Sequence, residues 1–378
     1  MDGKRKPLNA SERENFNGKY PYYGATGIID YVKEYLYSGK FILIGEDGAP
    51  FLDKTKSVAF LASGKFWVNN HCHVLKSNKQ SIDDFIMYSL NKVDYSNYIK
   101  GSTREKLNQS DLANIILPLP LIIEQQKIAN FLDEKSKIFD EAISKKEQLI
   151  SKLELAKQSL ISEVVTGKLK IVEQNSKLQT IKREKNELKP SGVEWLGDIP
   201  KDWKTLQIKH YGKFQSGDFI PAENINEKGK YPVFGGNGLR GFTDNFNLTG
   251  KYVLIGRQGA LCGNINFTIE KSWVTEHAIV VYNKKNIDVD WLGLVLKIMN
   301  LNQYSVASAQ PGLSIDNITK VRSILPTLTE QKQISKYLDE KLIYFDNTIE
   351  KTKQSITKLK EAKESLISQA VTGKIEVL

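Results

Sequence analysis

Several strings in this chain hold residue types that could do chemistry, and most fail on their surroundings. Phe234-Gly235-Gly236-Asn237-Gly238 fits the FxGxG pattern of glycine-rich cofactor loops in methyltransferases. The equivalent stretch in an internal copy reads Tyr23-Gly24-Ala25-Thr26-Gly27, so the pattern reads better as a turn used twice. Neither an Asn-Pro-Pro-Tyr nor an Asp-Pro-Pro-Tyr catalytic loop occurs. His71-Cys72-His73 has the donors for a metal, but its counterpart is His277-Ala278-Ile279 and no second ligand cluster accompanies it. The chain has 4 His, with no base beside a nucleophile, and no GxxxxGK[ST] phosphate loop. A chain of 378 residues without a credible active site reads as a binding subunit that carries no catalytic, cofactor or metal residues of its own.

The elements that would position such a binding surface come in pairs. Residues 124–168 recur at 330–374, a shift of 206 without a gap. About 25 of roughly 45 aligned positions are identical, far above chance for an internal comparison. Leu132, Phe139, Ile143, Ile150, Leu153, Leu160 and Val164 fall at spacings of seven, four and three, the seam of a helix packing on another helix. Lys, Glu and Gln fill the rest, and neither Pro nor Gly interrupts until Gly167, a natural helix-ending residue. An ordinary amphipathic helix on a globular core would show a similar stripe. The second copy favours two long helices lying against each other, antiparallel in a chain with two-fold pseudo-symmetry.

The flanking regions are also copies, though diverged. Residues 1–123 read as strand-rich, with strands at 41–44 and 66–69, glycine turns at 24–27 and 46–48, and a short helix at 82–91. They close on Ile115-Ile116-Leu117-Pro118-Leu119-Pro120, which cannot continue as helix. Residues 169–189 read as a polar linker, 190–329 as the second strand-rich domain, and 330–378 as the second helix. Tyr20-Pro21 matches Tyr231-Pro232, Ile42 to Gly45 match Val253 to Gly256, Trp67-Val68 match Trp273-Val274, and His71 matches His277. The architecture is therefore α+β with an internal repeat: domain, helix, domain, helix. The helices do one job twice, and the domains do related jobs on different targets.

Bulk properties agree with a polyanionic partner. Net charge is +10 and the sequence pI about 9.2, with 26% charged and 40% hydrophobic residues, a globular balance. Two cysteines exclude a disulfide framework and fit a reducing cytoplasm. No apolar run reaches spanning length, so no membrane partner is expected.

Taken together, EQQKIANFLDE from Glu124, EQKQISKYLDE from Glu330, and the endings LISEVVTGK and LISQAVTGK resemble the specificity subunit of a Type I restriction–modification system. WLGDIPKDW, Trp195 to Trp203, resembles the entry to a target-recognition domain, and GSTREKL, Gly101 to Leu107, its exit. The resemblance implies that each domain reads one half of a split site in double-stranded DNA. It further implies that the helices set the half-site spacing and dock two methyltransferase subunits, with two restriction (motor) subunits where the system cleaves. S-adenosylmethionine, ATP and magnesium would belong to those partners, and none to this chain. The first domain departs from the pattern: nineteen residues precede Tyr20, and neither Trp195 nor Trp203 has a counterpart. An N-terminal strand or two is missing there, or another segment fills the gap. The rival readings are a truncated or silent subunit reading one half-site, a coiled-coil scaffold, and a stand-alone methyltransferase.

In the matched frame Glu46-Asp47 sits where the second domain has Arg257-Gln258, each pair in a turn after a shared strand. A shared scaffold with differing tips is where base contacts belong. Arg pairs with guanine, Gln with adenine, and an acid accepts from cytosine N4. A solvated turn is the other reading. Arg104 and Gln310 lie in the loop before the closing strand, flanked by Lys100, Thr103 and Ser308. Lys4, Arg5, Lys6, Lys213 and Arg240 are expected on phosphates, which position without specifying. Half-sites read from one face lie about 34 Å apart, one DNA turn, or a multiple of it. Rigid helices suit that spacing.

Overall fold

The computed structural model describes residues 1–101, 105–259, 261–305 and 312–377. The chain divides into two compact units, Met1–Ile150 with Glu350–Leu378, and Ser151–Ile349. Each unit holds one strand-rich domain and part of each long helix.

The helices run Ile122–Val165 and Leu328–Val371, 44 residues each. At ~1.5 Å per residue each is about 66 Å long. They begin two residues before the expected starts, and Gly167 and Gly373 follow their ends at φ +76° and +68°, the left-handed region that a side chain resists. The expected seam is inside: Leu132, Ile143 and Val164 are buried, and Phe139, Ile150, Leu153 and Leu160 half-buried. In the first unit Ile128 and Leu132 of one helix share a core with Ile367, Ala370 and Val371 of the other, together with Phe85 and Tyr88. In the second unit Ile161, Val164 and Val165 meet Ile334, Tyr337 and Leu338. The start of each helix thus lies by the end of the other, and the pair is antiparallel.

Polar contacts repeat with the same operator. Lys363 Nζ donates to Asp140 Oδ1 at 2.7 Å in the first unit, and Lys157 pairs with Asp346 in the second. These are one interaction made twice, as across a symmetric dimer interface. Gln125 accepts from the Ile82 N–H at 3.0 Å and donates to the Gln80 and Pro120 carbonyls. Gln331 accepts from the Asp288 N–H at 2.8 Å and donates to the Asn286 and Pro326 carbonyls. Both glutamines are fully buried, and each ties the first turn of a long helix to its domain.

In the first unit, strands Asn17–Gly24 and Lys65–Val68 pair in parallel, Tyr22 opposite Trp67. In the second, Tyr231–Gly235 and Lys271–Val274 pair with Val233 opposite Trp273. A second sheet in each is centred on Phe41–Gly45 or Val253–Gly256, flanked by Cys72–Leu75 or Ala278–Asn283. These apolar strands are buried on both faces, which is why they read as continuous hydrophobic runs. Cys72 and Cys262 lie inside, 0% and 1% exposed, and burial pushes the Cys72 thiol well up.

Two differences from expectation have physical reasons. Residues 169–189 are no plain linker: Leu169–Gln174 pairs with Lys177–Lys182 in register from Leu169–Lys182 to Gln174–Lys177. Asn175 and Ser176 both have positive φ, 51° and 58°, the geometry that lets a two-residue turn match strand twist. Its polar alternation hides the strand signal, and only Leu169, Ile171 and Leu178 reach the core. The second difference concerns the domain entry. In the second unit Arg322–Leu325 pairs with Lys204–Gln207, and buried Trp203 donates to Glu330 at 3.0 Å. The matching segment 115–120 has no partner strand among the described residues, leaving Ile116 88% exposed. Beside Cys72–Leu75, where the second unit places strand Gly212–Ser216, the Met1 ammonium donates to Val74 O and the Val74 N–H to Asp2.

Candidate nucleic-acid interface

Three turns gather at one end of each domain. In the second unit these are the hairpin tip 235–238, the turn 257–259 after Val253–Gly256, and the turn 275–277 before Ala278–Asn283. They are pinned by backbone bonds: Arg257 N–H to His277 O at 2.9 Å, Leu313 N–H to Arg257 O at 2.8 Å, and a bridge between Gln258 and Gly312. Gly256 is required by this packing, because a Cβ there would lie 2.2 Å from the Gly236 carbonyl of the hairpin tip.

The first unit repeats the scaffold. Glu46 N–H donates to His71 O at 2.9 Å, Leu107 N–H to Glu46 O at 2.7 Å, and Asp47 bridges to Lys106. The side chains on this shared frame differ. Arg257 is half-buried, its Nη1 donating to Ser216 Oγ at 3.1 Å, and Gln258 is exposed. Asp47 contacts the His71 ring, while Glu46 points inward to Arg5 at 2.5 Å and Lys106 at 3.2 Å, its side chain 14% exposed. Burial alone would raise the Glu46 carboxyl, but bonds from Arg5 and Lys106 hold it below its ordinary value. Asp2 is likewise held low against burial by His73 and the Val74 N–H.

This cluster makes a prediction. Carboxyls held below their ordinary values of 4.5 and 3.8 stabilise the fold above those values, and lose that contribution as pH falls through the lowered ones. Glu46→Gln is therefore expected to melt below the parent at pH 7 and to converge with it as the pH falls through the lowered carboxyl range, followed by circular dichroism. A gap that stays constant with pH would remove the carboxylate as its source.

The other sequence candidates are dispersed. Lys100 is exposed and pairs with Asp111 at 3.2 Å. Exposed Arg240 follows the hairpin tip, its stem against Gly235. Lys213 is exposed but lies three residues from the head, opposite Tyr282. Lys4 and Lys6 are exposed, whereas Arg5 is engaged by Asp2 and Glu46. Thr103, Arg104, Ser308 and Gln310 lie outside the described residues. The two glutamines and the ring contacts of His71 and His277 escaped the sequence reading, although all four residues recur at the 206 shift. The His71-Cys72-His73 side chains part company: His71 meets Asp47, Cys72 is core, and buried His73 meets Asp2 at 2.6 Å and Leu107 O at 2.8 Å. Among the described residues no group of three or more His, Cys, Asp or Glu could hold a metal, and no helix is long and apolar enough to cross a membrane.

Comparison with known proteins agrees with this duplicated frame. The model of the Type I restriction modification DNA specificity domain matches twice, at residues 2–155 and 200–361. A putative type I restriction enzyme specificity subunit of Haemophilus influenzae is 30% identical over 352 residues, 90% of this chain and 84% of its own. The EcoprrI specificity subunit of Escherichia coli is 40% identical over 132 residues, about a third of each chain (34% and 33%). A chain from a solved type I restriction–modification complex superposes with a TM-score of 0.71 at 15% identity, covering 96% of this chain and 93% of its own, a likeness of fold. Two matched domains and a relative aligned over nearly the full length place this chain in the family of type I restriction–modification DNA specificity proteins.

Proposed function

We propose that this chain is the sequence-reading subunit of a type I system and that each unit's three-turn end reads one half of a bipartite duplex site. The supporting observation is the pair of turns whose backbone bonds match and whose tip residues differ, Glu46-Asp47 against Arg257-Gln258. The chain itself is non-catalytic. Methyl transfer and cleavage belong to partner subunits, two methyltransferases docked on the helices and two motor subunits in a restricting system, which bring S-adenosylmethionine, ATP and magnesium. Lys4, Lys6, Lys213 and Arg240 take phosphates, and Arg257, Gln258 and Asp47 take bases.

The test is methylome sequencing of cells carrying this chain with its methyltransferase. A two-part motif with a fixed gap is expected, and an uninterrupted motif would refute the reading. A motif with one defined half would favour the one-half-site variant, which is supported by the lack of a partner strand for segment 115–120 among the described residues. At the level of one residue, Arg257→Ala is expected to lose about 1–3 kcal/mol on the cognate duplex, as for one bidentate base contact, and little on a scrambled one. Equal loss on both would make it a phosphate contact.

A further inference from the structure

A histidine stands behind each reading turn, held in the same way in both units. The His71 N–H donates to Asn69 Oδ1 at 2.9 Å, and the His277 N–H to Thr275 Oγ1 at 3.4 Å. Each histidine carbonyl accepts from the first residue of its reading pair, Glu46 or Arg257. Each ring then turns Nδ1 onto the second residue: His71 onto Asp47 Oδ1, and His277 onto Gln258 Oε1 at 2.7 Å. His71 and His277 match at the 206 shift, and Asp47 and Gln258 match at the reading turn, so the contact has been kept while its acceptor changed from acid to amide.

We propose that His71 and His277 are positioning residues that fix which hydrogen-bonding groups the two reading turns present to a base pair. This rests on the DNA-reading role of the turns. Against Asp47 the His71 Nδ1–H is the donor, because a carboxylate can only accept; at His277 we take the same tautomer, which leaves Gln258 Oε1 as the acceptor. With Oε1 held by His277, Gln258 offers its amide N–H groups beside the Arg257 guanidinium. The second unit thus presents donors, which suit the N7 and O6 acceptors on the major-groove edge of guanine. In the first unit Arg5 and Lys106 take up the Glu46 carboxylate, which leaves Asp47, its side chain 19% exposed and held by His71, as the acceptor of the pair. Its partners are base amino groups, cytosine N4 or adenine N6. The two histidines therefore set opposite polarities in the two half-sites. Glu276 Oε1 lies 3.2 Å from His277 Nε2 and accepts from it only when that nitrogen also carries a proton.

The experiment is selection from a randomised duplex library by the full-length chain, comparing the parent with H277A, H277N, H71A and Q258A. The parent is expected to select a split motif with an acceptor-rich purine in one half and an amino-bearing base in the other. H277A is expected to lose roughly 5- to 150-fold of discrimination at one base position, the position also lost in Q258A, with the other half-site untouched. H71A does the same in the opposite half. H277N, whose amide N–H replaces Nδ1–H, restores the preference, which a packing role would not allow. The proposal is overturned when H277A leaves the motif unchanged or when H277A and Q258A act at different positions. It is also overturned when H277A flattens the whole half-site, lowers the melting temperature and is not rescued by H277N. A parent that selects no motif overturns the DNA reading itself, and this proposal with it.

Discussion

Raising the salt from 50 to 200 mM is expected to weaken binding of this chain to duplex DNA by about 10³–10⁵-fold, the loss for a protein that neutralises roughly 6–10 phosphates. The net charge of +10 and exposed cations such as Lys4, Lys6, Lys213 and Arg240 are what that expectation rests on. Arg5 and Lys100 contribute less than the sequence suggests, because Glu46, Asp2 and Asp111 already hold them. Each phosphate-bound cation releases counterions, so a plot of log affinity against log salt gives a straight line whose slope counts the contacts. Filter binding across that range decides the matter. A nearly flat line would leave a coiled-coil scaffold as the better description, since helix pairing has no large stake in counterion release.

The second large effect concerns stability. Gln331→Leu is expected to cost about 3 kcal/mol, because at a fully buried position it removes the partner of the half-buried Asp288 N–H, the Asn286 carbonyl and the buried Pro326 carbonyl. At ~2–4 °C per kcal/mol for a unit of this size, the melting temperature falls by about 6–12 °C. Gln125→Leu should act equally, since its three partners are the same groups moved by 206 residues. The double variant should show the sum, because the two glutamines share no partner. Thermal unfolding followed by circular dichroism checks all three. A shift below about 1 °C would mean that water reaches these groups and the clamp is not needed.

Much of this architecture could be read before any coordinates. The 206-residue repeat, the helix seam and the helix-ending glycines follow from spacing alone, and the helices lie within two residues of the expected starts. The matched turns were legible for the same reason: two copies of one scaffold show where the side chains differ. What stayed hidden depends on contacts between distant segments. Nothing in the sequence near Glu46 says that Arg5 takes up its carboxylate, or that Asp47 meets the His71 ring. Gln125 and Gln331 look like any polar helix residues until three backbone groups from elsewhere converge on them. The hairpin at Leu169–Lys182 was missed because only Leu169, Ile171 and Leu178 touch a core, so its apolar alternation is short and set among polar residues.

The burial of both native thiols makes the chain a ready subject for labelling. Cys72 and Cys262 are closed to reagents in the folded state, so a maleimide dye should find only a cysteine placed by design. Exposed Lys19 in one domain and Lys228 in the other are suitable attachment points. Energy transfer between two such fluorophores, recorded with and without a cognate oligonucleotide, would report how far apart the two heads stand and whether DNA changes it.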